Sequence, residues 1–112
     1  MRKALRSGVG GAIIVTTGVL AARGRLPRNP IAGIRIPSTL RSDDAWRAGH
    51  RAAARTLIAS GMGPTIAALV VAVRRPDRGD ETVILRLGTA WLLGWLGVAT
   101  VQARRAARAT FA

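Results

Sequence analysis

Three runs without a single charge, residues 7–22, 56–73 and 87–103, cover 51 of the 112 positions, and all 23 charged residues fall in the other 61. A chain that is 49% hydrophobic and carries a formal net charge of +13 has to keep the two properties apart. Long apolar runs without regularly spaced turn residues predict helices rather than strands. A helix rises about 1.5 Å per residue and the hydrocarbon core of a bilayer is about 30 Å, so a span needs ~20 residues. Each run is slightly short and borrows from its flanks: Ala4 and Leu5 for the first, Ala52, Ala53 and Ala54 for the second, Thr82 onward for the third. Arg6, Arg23, Arg55 and Arg86 would then snorkel to the interface. The predicted fold class is an all-α membrane protein, a single integral membrane domain over residues 1–112. Its three transmembrane helices lie at approximately 5–22, 52–73 and 83–103, with an ordered Pro/Gly/Arg-rich motif loop at 23–51 between helices 1 and 2.

The basic residues set an expected orientation. The N-terminus and second loop hold seven Arg and Lys, whereas the first loop and the C-terminal tail hold eleven. Positive residues accumulate on the cytoplasmic side. The expectation is a multi-pass protein of the cell inner (plasma) membrane with its N-terminus outside and its first loop and C-terminus cytoplasmic. The first run also has the outline of a secretory signal, with Arg2, Lys3 and Arg6 before the apolar stretch and Val19-Leu20-Ala21 as a cleavage site; a retained span is expected instead.

Composition narrows the function classes. Without cysteine there is no disulfide framework, and one His with five acids leaves little for acid–base or metal chemistry, so neither an enzyme, a metal site nor a cofactor is expected. Nucleic acid is not an expected partner either: there is no Tyr, one Phe and three Trp to interleave with the 17 Arg, where nucleic-acid binders place stacking aromatics. The lipid bilayer is the first partner, with the arginines at its borders. Gly8-x-Gly10-Gly11 is not a phosphate loop, since no Lys-Ser/Thr follows it.

The first loop carries the most specific sequence. It opens Arg23-Gly-Arg-Leu-Pro-Arg-Asn-Pro-Ile-Ala-Gly-Ile-Arg-Ile-Pro-Ser-Thr-Leu40. Prolines 27, 30 and 37 predict a non-helical stretch with Leu26, Asn29 and Ile36 extended before them, and Gly33 permits a backbone turn. Ser42 then reads as an N-cap, with Asp43 and Asp44 in the first turn where the helix dipole favours acids. That helix is expected to run unbroken into the second span. Asp43, Trp46, Arg47 and His50 fall at i, i+3, i+4 and i+7 and share one face.

The run Pro27-x-Asn29-x-x-x-Gly33-Ile34-Arg35-x-Pro37-x-Thr39-Leu40, then Trp46, then His50-Arg51, resembles the signature of the SdpI-type bacterial membrane proteins. Two central positions depart from it: Ile36 stands where Thr is usual and Ser38 where Trp is usual. The resemblance implies a non-enzymatic membrane protein acting in toxin immunity or signalling, with a secreted peptide toxin or a transcriptional repressor as partner. It also implies that Asn29, Gly33, Arg35, Pro37, Thr39, Trp46, His50 and Arg51 form the binding or motif element. The alternative is a small accessory subunit packed against a larger membrane protein complex, the loop serving as its dock.

Individual residues keep two readings. Arg35 binds a lipid phosphate or partner carboxylate, or simply covers the bilayer edge. His50 is a pH-sensitive switch beside Asp43 and Trp46, or a cap on the loop. Asp43 and Asp44 read as helix N-terminal acids rather than a catalytic pair. Gly33, Arg35, Pro37 and Trp46 are expected to hold one ordered lid, with Ile31, Ile34, Ile36 and Leu40 as its apolar side. Helix packing in lipid depends on small residues. Gly11, Gly18 and Ala22 make one stripe on the first span, and Ala90, Gly94 and Gly97 make another on the third. The latter is expected to face a helix of this chain or of a partner, with Trp91 and Trp95 beside it, and a homo-oligomer stays open. Pro64 predicts a kink near Gly61–Pro64.

Overall fold

Each charge-free run is the apolar part of a longer helix: 7–22 and 56–73 fill the C-terminal portions of theirs and 87–103 the middle of its own. The computed structural model describes residues 2–111 and contains α1 (Arg2–Ala22), α2 (Pro37–Leu40), α3 (Asp43–Arg74) and α4 (Arg78–Ala109). The described chain is all-helical, and α1, α3 and α4 are each long and apolar enough to cross a membrane. At about 1.5 Å per residue, the two 32-residue helices are ~48 Å long. The molecule's long axis is 53 Å, against a hydrocarbon core of about 30 Å, so the helix ends stand beyond the apolar slab.

Chain order does not set the layering: α3 is the middle helix, with α1 and α4 packed along it and hardly touching one another. Small residues make both contacts. On α1 the buried Ala4, Gly11 and Gly18 are seven residues apart, one seam facing α3. A Cβ on Gly11 would lie 2.6 Å from the Gly61 carbonyl oxygen, and a Cβ on Gly61 would lie 2.7 Å from that of Gly11, so the two backbones abut. Gly18 similarly backs onto Ile58 and the Ala54 carbonyl. On α4 the buried line is Leu85, Gly88, Ala99, Ala103 and Ala107. A Cβ on Gly88 would meet the Ala67 methyl at 2.9 Å and the Gly63 carbonyl at 3.1 Å.

Several expectations change. Ala90, Gly94 and Gly97 are all exposed, and nothing lies within 4 Å of a Cβ built on either glycine, so this stripe packs against no helix of the chain. The reason is helical phase. Leu92 and Leu96 continue the buried line, and residues two positions away lie about 200° round the helix. On α1 the seam closes on buried Ala21 rather than exposed Ala22. Pro37 does not forbid a helix but starts one, at the first position of α2, where its missing N–H is no loss and its φ is preset. α3 does run unbroken from its Ser42 cap through Pro64, which is buried. Trp91 packs across Gly63 and donates its indole N–H to the Ala59 carbonyl at 2.7 Å, so it belongs to the α3–α4 contact rather than to the outward stripe.

Substituting Gly61 or Gly88 by Leu is expected to destabilise the bundle by roughly 1–3 kcal/mol or more, because backbone would have to move. Gly94→Leu should leave thermal unfolding in detergent close to wild type. Equal losses at Gly88 and Gly94 would contradict this packing.

Candidate functional site

The first connection folds into a lid over one end of the bundle, and its geometry follows residue by residue from the sequence. α1 stops at a Schellman turn: Gly24 takes φ +66°, its N–H donates to Ala21 O at 3.1 Å, and the Arg25 N–H donates to Leu20 O at 2.9 Å. Leu26 then turns inward beside Ala21, Trp46 and Ala54. Asn29 staples the next turn with its side chain, as Asn does when it mimics backbone. Its Oδ1 accepts from the N–H groups of Ile31 (2.9 Å) and Ala32 (2.7 Å), and its Nδ2 donates to Pro27 O at 2.8 Å. Gly33, at φ +109°, brings the chain flat onto the aromatic pair below. A Cβ there would sit 2.7 Å from His50 Nε2 and 3.0 Å from the Trp46 ring, so both conformation and space demand glycine.

Ile34 is the point where lid and bundle are joined. Its N–H donates to His50 Nε2 at 2.8 Å, and its carbonyl accepts from the Thr39 hydroxyl at 2.6 Å. Thr39, fully buried, also accepts from the Ile36 N–H at 3.3 Å, and its methyl rests on Gly49. Gly49 in turn abuts the Ala103 carbonyl, so lid, α3 and α4 meet at one place. Trp46 lies 4.0 Å from the His50 ring, centroid to centroid, and donates its indole N–H to Leu26 O at 2.9 Å. Ser42 caps α3 by accepting from the Ala45 N–H at 3.0 Å.

The imidazole's two partners fix its state. Nε2 must keep a lone pair to accept from Ile34, so Nδ1 carries the hydrogen and donates to Trp46 O at 2.8 Å. His50 precedes the apolar run 56–73, and its burial lowers its pKa, with the backbone hydrogen bond at Trp46 opposing that shift. Asp43 plays no part. It is exposed and pairs with Arg28 at 3.5 Å, while His50 is buried, so the helical face that carries both is split between inside and outside.

The motif therefore divides. Asn29, Gly33, Pro37, Thr39, Trp46 and His50 build the lid and its seat. Arg35 and Arg51 are exposed, and neither makes a hydrogen bond or ion pair among the described residues. Of the isoleucines expected on the apolar side, Ile34 is buried and Ile36 half-buried, but Ile31 points away at 90% exposure. Sequence reasoning missed Gly24 and Gly49. The first was visible as a glycine just past an apolar run; the second had no local signal, since its need arises from Ala103, far along the chain. It also missed Arg28, which donates to Leu40 O at 3.0 Å and ties the start of the lid to its end.

His50→Ala should leave the Ile34 N–H buried and unpaired, at about 1–3 kcal/mol, and speed hydrogen exchange over 29–41. The folded state resists a proton that the unfolded imidazole accepts below about pH 6.5. The contribution of His50 is thus present above that pH and declines as pH falls below it. The Ile34 protection factor should drop between pH 7.5 and 5 in the wild type, and that pH response should vanish in His50→Ala. A pH-independent wild-type protection factor would contradict the assigned tautomer.

Neither curated proteins nor solved structures give a match to the chain. The model of the SdpI/YfhL protein family matches residues 25–103, from the start of the lid to the Ala103 contact on α4 and well over half of the chain. The lid, its seat on α3 and the wall that α4 gives it all fall within that match, and the chain belongs to the SdpI/YfhL family.

Proposed function

We propose that this protein is a non-enzymatic membrane element that acts by binding a peptide or protein partner on the outer side of its lid, in toxin immunity or in signalling. The observation that carries this reading is the division of the motif. The inner residues hold the loop in one shape, while Ile31, Arg35 and Arg51 are left outward on a fixed frame. A preordered surface combining an exposed isoleucine with unpaired guanidinium groups suits a partner with an apolar and an acidic side chain, because little ordering entropy is lost on binding. Signalling implies a repressor held at the membrane by a cytoplasmic lid, whereas immunity implies a secreted peptide toxin as the partner, which meets this surface from outside only if the lid faces outward.

The lid end holds eleven basic and two acidic residues, and the opposite end seven and three. The positive-inside rule then puts the lid and the C-terminus in the cytoplasm and the N-terminus outside. The chain has no cysteine, so single Cys probes at Ser38 and Asp80 can be read without background. An impermeant reagent applied to intact cells should label position 80 and spare position 38; the reverse pattern would invert the orientation.

A second reading is a small accessory subunit of a larger membrane complex, or a homo-oligomer. It is favoured by the outward stripe Ala90, Gly94 and Gly97, a smooth face on which a further helix can approach closely. Affinity isolation in mild detergent separates the two. Partner capture lost in Ile31→Ser/Arg35→Gln but kept in Gly94→Leu supports the lid. The converse, with stoichiometric co-isolation of a membrane complex, supports the accessory role.

A further inference from the structure

A second feature at the same end of the bundle lies apart from the outward lid surface. Between α2 and the last turns of α4 is a groove of about 530 Å³, lined by Ile36, Arg41, Thr100, Arg104, Arg108 and Phe111 among others. Its volume falls within the ~300–1,000 Å³ of small-ligand sites. Thr100, Arg104 and Arg108 are four residues apart and form one row on α4. Arg41 enters from the lid side, its guanidinium carbon 4.2 Å from the centroid of the Phe111 ring, within cation–π range.

Three guanidinium groups thus line one concavity, and none of the five acids of the chain lines it with them. None of the three makes an ion pair or hydrogen bond among the described residues. Among the described residues no acidic side chain relieves the cost of gathering like charges there. One part is offset by the C-terminal dipole of α4, which favours cations in the last turn. The position is equally specific. Thr100 lies within the apolar run 87–103, and Arg104 is the first charge past it, so the groove straddles the border between hydrocarbon and headgroup depth.

The geometry points to a phosphate-binding site: Arg41, Arg104 and Arg108 together take an anionic phosphate group, presented at this depth by the phosphodiester of an anionic lipid or by a soluble phosphate. Guanidinium forks match phosphate oxygens in pairs, and a site at the edge of the bilayer strengthens the attraction relative to bulk water. Its ligand and its residues differ from those of the lid surface, so it stands or fails independently of that reading.

Binding of phosphatidylglycerol, phosphatidylcholine and inorganic phosphate to the full chain in mild detergent, followed by native mass spectrometry and titration, tests this. Phosphatidylglycerol should bind at least about tenfold more tightly than phosphatidylcholine, and Arg104→Gln/Arg108→Gln should remove that preference. Arg25→Gln/Arg55→Gln, which loses the same charge from exposed positions outside the groove, should retain it. Arg104→Lys/Arg108→Lys should bind with intermediate affinity, since charge remains and the fork is lost. Thermal unfolding of each variant shows that the bundle is intact. Inorganic phosphate binding lost in the same groove variant, without a lipid preference, assigns the site to a soluble phosphate. The proposal is overturned if neither phosphate source binds, or if the Arg25/Arg55 control loses as much as the groove variant.

Discussion

His50 brings one N–H and one lone pair into the interior, and both are used: Nδ1 donates to its own helix at Trp46, and Nε2 accepts from the lid at Ile34. Much of the lid's arrangement depends on that division. A protonated imidazole has no lone pair to offer, and a side chain without nitrogen leaves a buried amide unpaired. Because Ile34 is held from below, its carbonyl is aimed at Thr39, and Thr39 in turn shapes the first turn of α2. Trp46, tilted against the His50 ring, provides the floor, and Gly33 is the residue that lets the backbone come down to it. The lid is therefore a chain of dependent contacts rather than a set of independent ones.

α3 carries this arrangement because it is the shared wall of the molecule. In lipid the hydrophobic effect gives little drive for one helix to meet another, so contact rests on close packing. The glycines supply it on both faces of α3: Gly61 against Gly11 on one side, Gly49 against Ala103 and Gly63 against Trp91 on the other. The Trp91 indole adds a hydrogen bond to a helix carbonyl where water is scarce. The position of α4 relative to the lid, and so the shape of the arginine groove, is set by the same Gly49–Ala103 approach that seats Thr39.

The three spans, the Ser42 cap and the run of α3 from that cap into the second span were legible in the sequence because each depends on local pattern: charge-free length, a capping residue, no break between residues 42 and 56. So were the motif residues that hold the lid, but not their division into inner and outer sets. Helical spacing places Asp43 and His50 on one face, yet only tertiary contact decides that the face is cut by the protein's edge. The α4 stripe meets no helix of this chain for a related reason. Small residues at Ala90, Gly94 and Gly97 are as regular as those at Gly88, Ala99 and Ala103, and periodicity alone does not state which row meets a neighbour. The arginine groove was hidden because Arg41 and Arg108 are distant in sequence and line one groove only once the lid is folded.

The shortness of the charge-free runs has an elastic consequence. Sixteen to eighteen residues cover ~24–27 Å, less than an average hydrocarbon thickness of about 30 Å. Either the flanking arginines reach outward or the surrounding bilayer is drawn thinner, at fractions of a kcal/mol for each Å. Two such depressions in one membrane cost less when they merge than when they stand apart. To the extent that the bilayer rather than the arginines takes up the difference, a protein shaped this way is drawn towards other short-spanned proteins, and towards thin membrane, before any side chain of one touches the other.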